Sequence, residues 1–113
     1  MTPEVGLGSK DVKAHVEMGV CRFSCDIKAY PVDGKIRCEL FTKCPAVKEL
    51  GMSLPDLDPF AALKMPYCEN ELFDLAGKLL KHVTCPVPIA IAKCVEVASG
   101  YALARNVAIE FDL

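Results

Sequence analysis

Residues Asp11 to Met18 alternate: Val12, Ala14, Val16 and Met18 are apolar, while Asp11, Lys13, His15 and Glu17 are polar. A period of two with one wet face is the pattern of a half-buried strand. Gly19 and Val20 break it. A second alternating run follows from Phe23 to Val32, and a third from Lys35 to Lys43. Between those two stands Asp33-Gly34, a two-residue hairpin signal. Pairing across that turn sets Ala29 opposite Cys38, Ile27 opposite Leu40 and Cys25 opposite Thr42, all on the apolar face. Asp26, Lys28, Tyr30, Arg37, Glu39 and Phe41 take the other face. A fourth run, Val107 to Leu113, has Val107, Ile109, Phe111 and Leu113 expected inward. The pattern does not choose whether it pairs with the first strand or the third.

Between the third and fourth runs the period changes. Cys44-Pro45 opens a short helix that Gly51 is expected to end, since Pro suits the first helical position and Gly the stop. Asp58-Pro59 opens a second, from Pro59 to Met65, closed by Pro66. Asn70 is placed to cap a third that runs through Val83. Its apolar stripe is Leu72, Phe73, Ala76, Leu79, Leu80 and Val83. Cys85-Pro86-Val87-Pro88 opens a fourth, which continues to about Ser99 with Gly100 as its stop. The order is therefore β-β-β-α-α-α-α-β. Amphipathic helices and a sheet with one wet face imply a two-layer α+β domain, a four-stranded antiparallel sheet with helices on one side. It is expected to span residues 10–113, with residues 1–9 as a loose tail.

Composition narrows the function classes. The chain has 113 residues, 52 % of them hydrophobic and 25 % charged, enough apolar surface for a packed core and not the make-up of a disordered chain. A net charge of −2 supplies no basic face, so no nucleic-acid partner is expected. The longest largely apolar run, Val83 to Ala92, holds two prolines and stops at Lys93, far short of the ~20 residues that span a bilayer, so no membrane role is expected either. The first nine residues lack a basic segment followed by an apolar one, so no secretory signal is read there and a cytoplasmic location is expected. Gly6-Leu7-Gly8 does not follow a strand and is no phosphate loop.

The unusual feature is seven cysteines: Cys21, Cys25, Cys38, Cys44, Cys68, Cys85 and Cys94. In a reducing compartment disulfides are rare, which leaves metal ligation, thiol chemistry or core packing. Cys25, Cys38 and Cys94 fall on apolar faces and read as small buried hydrophobes. Cys44, Cys68 and Cys85 sit at or just before predicted helix starts, where the dipole favours a thiolate. Cys21 lies in the turn between the first two strands, and the hairpin register brings it beside Cys44. If the two short helices fold back on each other, Cys68 joins them. The expected metal set is then Cys21, Cys44 and Cys68, suited to zinc or an iron–sulfur cluster. If they do not, Cys21, Cys44, His82 and Cys85 form the group. Cys85 with His82 three residues earlier is the candidate for thiol catalysis, the histidine orienting or deprotonating the thiol. His15, on the wet sheet face, is given no role.

Cys85-Pro86-Val87-Pro88 before an apolar helix resembles the Cys-Pro-x-Pro motif of TusA-like sulfur carriers, in which the cysteine opens a helix and holds a persulfide. That likeness touches Cys85, Pro86 and Pro88, although in those carriers the motif follows a strand near the chain start. Gly19-Val20-Cys21-Arg22-Phe23, Cys44-Pro45 and His82 through Pro88, with Lys93, Glu96 and Gly100, are similar to stretches of a family of small proteins found mostly in anaerobic bacteria and archaea. That family carries no assigned activity. Three readings follow: a thiolate metal or cluster protein, a thiol or persulfide carrier centred on Cys85, or a non-catalytic module that forms a homo-oligomer or joins a protein partner.

Overall fold

The computed structural model describes residues 9–113, so of the expected tail at 1–9 all but Ser9 lies outside the described residues. Three strands form one antiparallel sheet in the order β1-β2-β3: β1 Val12–Glu17, β2 Ser24–Val32 and β3 Lys35–Thr42. The hairpin register is the expected one, with Cys25 opposite Thr42, Ile27 opposite Leu40 and Ala29 opposite Cys38. Asp33 and Gly34 both have positive φ, 51° and 80°, which is the backbone a right-twisted two-residue hairpin needs. Cys25, Ile27, Ala29, Ile36 and Cys38 are buried on the inner face, while Asp26, Lys28 and Arg37 face out.

Four helices form the second layer, α1 Pro45–Ser53, α2 Pro59–Ala62, α3 Glu71–Leu79 and α4 Val87–Ala98, with α1 and α4 against the sheet and α2 and α3 packed mainly on the other helices. Helix α4 lies over β1 and β2, and α1 over β3. Ile27, Leu50, Leu57, Leu72, Ile91, Val47, Val87 and Val95 are the large side chains sealed between the layers. Gly51 does not stop α1, which continues to Ser53. A Cβ at Gly51 would stand 3.0 Å from the Leu40 Cβ, so this glycine admits α1 close against β3. The helix ends at Leu54 because Pro55 disfavours a helical residue before it. Helix α3 ends at Leu79, four residues before the expected Val83, and α2 ends at Ala62 rather than Met65. Helix α4 ends as expected: Gly100 has φ 86°, and the Tyr101 N–H donates to the Glu96 carbonyl.

The fourth strand is corrected. Among the described residues the sheet has three strands, and residues 107–113 carry no regular structure. Ile109 and Phe111, expected inward, are each 84 % exposed. Alternation shows that one face of a segment suits burial, but the two edges offer this segment unequal places. At the β3 edge, Ile36 already exchanges two 2.8 Å backbone hydrogen bonds with Leu57. Arg37 is held in a double hydrogen bond to Asp56, at 2.8 and 2.9 Å. Among the described residues no strand or bridge pairs with the β1 edge.

Candidate thiol site

One hydrogen bond decides which cysteines meet. The Lys10 N–H donates to the Ala98 carbonyl at 3.0 Å, fixing the last turn of α4 at the start of β1. A 12-residue helix is about 18 Å long. The six residues of β1 cover about 20 Å. Since α4 packs along β1, its N-terminus lies at the far end, where β1 turns into β2 and β3 passes into α1. Cys21 is in that turn, Cys44 is the residue before α1, and Cys85 is two residues before α4.

The electrostatics follow. Burial is the main reason the Cys85 thiol lies above its ordinary pKa, and repulsion from Cys44 and Cys21 adds to it. A hydrogen bond from the Val87 N–H to the sulfur pulls the other way and does not prevail. Cys25, fully buried at the start of β2, is pushed up to about 11, first by burial and, among weaker causes, by the charges of Cys85 and Cys44. Four thiols therefore share one end of the sheet. Cys44 caps α1 without its side chain: its N–H bonds to Thr42 Oγ1 at 3.1 Å, and the sulfur makes no capping bond. Cys85 is half-buried and Cys21 exposed.

Cys68 stands apart from this group. It is exposed in a short 3₁₀ turn, Tyr67–Glu69, that packs on α3, and its charge is not among those acting on Cys85 or Cys25. The place expected for Cys68 is taken by Cys85. His82 is exposed in the loop after α3 rather than in a last helical turn. Its carbonyl accepts the Cys85 N–H at 3.2 Å, and its ring is not among the groups that shift Cys85. The expected lowering of the Cys85 pKa is thus reversed, because burial beside two other thiols outweighs a helix start that has lost two N–H donors to Pro86 and Pro88. Among the described residues, no three His, Cys, Asp or Glu side chains stand ready-made as a metal-ligand set.

Cys38 and Cys94 behave as core residues, buried and pushed up to about 12 and about 11 by burial. His15 proves less idle than its place suggested. Cross-strand pairing sets Asp26 directly opposite, with Nδ1 to Oδ1 at 2.8 Å, and Glu17 meets Nε2. Its pKa is raised, most by Glu17 and next by Asp26. That cluster was open to deduction from the strand register, because residues opposite each other on one face are neighbours. A surface hollow of about 170 Å³ between α3 and α4, lined by Tyr67, Phe73, Ile89 and Lys93, has none of the edge thiols in its wall.

The sequence model of a family of unknown function, DUF6951, matches residues 12–111, and the chain belongs to that family. No curated protein and no solved structure matches it. No helix among the described residues is long and apolar enough to cross a membrane.

Proposed function

We propose that Cys21, Cys44 and Cys85 are the ligands of a thiophilic metal centre, a zinc ion or an iron–sulfur cluster, at the end of the sheet where α1 and α4 begin. The observation that carries this reading is that three separate elements, the β1–β2 turn, the start of α1 and the approach to α4, bring Cys21, Cys44 and Cys85 to the same end of the sheet. Soft thiolates select zinc or iron–sulfur clusters. Burial holds the Cys85 thiol above its ordinary pKa, and metal binding there releases its proton. The exposed Cys21 turn and the exposed His82 loop supply the adjustment that closes the set, with His82 or solvent in the fourth position. A sulfur carrier centred on Cys85 needs the opposite: a thiol made acidic before any partner binds.

The test is metal analysis and absorption spectroscopy of protein purified without oxygen or chelators. About one zinc ion, or one coloured cluster, per chain is expected. Cys44→Ser and Cys85→Ser should each lose it and lower the melting temperature, while Cys68→Ser should keep it. Metal-free protein that neither takes up zinc nor accepts a reconstituted cluster overturns the proposal. Loss of metal in Cys68→Ser with retention in Cys85→Ser overturns the ligand assignment.

A further inference from the structure

We propose that residues 107–113 of one copy add to the β1 edge of a second copy, an edge that no strand among the described residues pairs with, and the reverse, in a two-fold strand-exchanged dimer. The inference stands independently of the thiol site. It begins with two unpaired halves. Val107, Ile109, Phe111 and Leu113 recur at every second position and are 63 %, 84 %, 84 % and 114 % exposed, an apolar row with nothing against it. On the sheet, β1 is an edge strand whose inward residues Val12, Ala14 and Val16 are only half-buried, whereas their β2 neighbours Cys25, Ile27 and Ala29 are sealed. The inner face is one strand too narrow on that side.

The backbone of β1 is ready for a further ladder. The Met18 N–H donates to the Phe23 carbonyl, so Met18 and, by alternation, Val16, Ala14 and Val12 direct their backbone groups toward β2. The N–H and C=O groups of Lys13, His15 and Glu17 then point out of the edge. Charge chooses the register. The match is Lys13 opposite Asp112 of the partner subunit; Glu17 then faces Ala108 of the partner subunit, and Glu110 of the partner subunit faces His15, whose ring nitrogens already hold Asp26 and Glu17. On the inner face Ala14 then meets the partner's Phe111, small against large, and Val16 meets the partner's Ile109. A shift of two residues one way puts Glu17 against Glu110, and the other way Asp11 against Asp112; like charges directly opposite destabilise a strand pair.

The same chain is poorly placed for this pairing. The last turn of α4 is tied to Lys10 through Ala98, and Tyr101 is held to that turn by its bond to Glu96. Glu17, the last residue of β1, lies seven residues past Lys10, about 23 Å at strand rise. The seven residues from Tyr101 to Ala108 extend at most about 25 Å, which leaves almost no slack for the reversal an own-chain return needs. In the structure residues 107–113 carry no regular structure and their apolar row is exposed. A second copy related by a two-fold axis has no such limit, and two reciprocal strands close the symmetry.

Light scattering coupled to size exclusion, on the full chain, tests this. The wild type should be a dimer at micromolar concentration. Phe111→Lys with Ile109→Lys should give a monomer with unchanged far-UV circular dichroism, because neither side chain belongs to the core. Lys13→Glu should raise the dimer dissociation constant about tenfold or more, since the pair occurs twice, and adding Asp112→Lys should restore it. A wild-type monomer at all concentrations overturns the proposal, whether or not its Ile109 and Phe111 amides are protected from exchange by its own chain. A dimer indifferent to Phe111→Lys with Ile109→Lys overturns it equally. Lys13→Glu that is not rescued by Asp112→Lys overturns the register.

Discussion

Asn70 offers a sharp test of how the helices are held. Among the described residues it is the one buried polar side chain, 2 % exposed, and it makes four hydrogen bonds. Its Oδ1 accepts from the Leu72 and Phe73 N–H groups at 2.9 and 3.1 Å, capping α3. Its Nδ2 donates to the Ala62 and Lys64 carbonyls at 2.8 and 3.0 Å, tying the end of α2 and the loop after it to the start of α3. Asn70→Ala removes the cap, worth about 1 kcal/mol. It also strands two carbonyls, of which the one on buried Ala62 carries most of the ~1–3 kcal/mol penalty for an unpaired buried group. The expected loss is about 3 kcal/mol, a large part of the ~5–15 kcal/mol that holds a domain of this size. Asn70→Ser keeps an acceptor for the cap and should recover about 1 kcal/mol of that. Asn70→Asp keeps both cap bonds but sets a carboxylate against two carbonyl oxygens, so it should be no better than Ala despite being a good cap elsewhere. Urea unfolding followed by circular dichroism reads all three, with a midpoint drop of about 1–2 M expected for Asn70→Ala. If Asn70→Asp were as stable as wild type, the bonds to Ala62 and Lys64 would contribute nothing and the reasoning would fail.

Two further predictions concern glycine and pH. Gly51→Ala should destabilise by about 1–3 kcal/mol, because its methyl group meets the Leu40 Cβ at 3.0 Å. Gly77→Ala in α3, where nothing lies within 4 Å, should stabilise by about 0.5–1 kcal/mol; paired urea curves should move in opposite directions, and a shift in the same direction refutes one of the two assignments. Cys25, Cys38 and Cys94 are raised from 9.0 to about 11, 12 and 11, so the folded state holds their protons longer than the unfolded state does. Their contribution is complete below about pH 9 and lost as the pH rises toward 11–12, of order 3–4 kcal/mol per thiol. Urea midpoints at pH 8 and pH 10.5 measure this, and the alkaline loss should shrink in Cys38→Ala.

What could be read from the sequence was what local geometry determines. The β2–β3 register follows from Asp33-Gly34 and a period of two, since a slip of one residue would turn every side chain to the wrong face. Asn70 as a cap and Gly100 as a stop were legible for the same reason. The grouping of cysteines was not, because it depends on which end of the sheet α4 starts from. That direction is visible in the Lys10–Ala98 bond, which no local pattern encodes. The Cys85 pKa escaped in the same way. A helix start and a nearby histidine are written in the sequence, whereas burial beside Cys44 and Cys21 belongs to the tertiary structure.

The C-terminal run shows where such reading stops. Alternation over Val107–Leu113 states that one face must leave water, and it is silent on whose surface receives it. Within this chain, α4 ends near the start of β1, which leaves little slack for an antiparallel return along the whole edge. The same contact that seals α4 onto the sheet therefore works against this run pairing with its own edge. The β1 edge and the apolar row are then left as matching halves on one molecule, with Lys13 on one side and Asp112 on the other. A self-complementary pair of this kind is satisfied by a second copy at no cost in new sequence, because each partner contributes both halves.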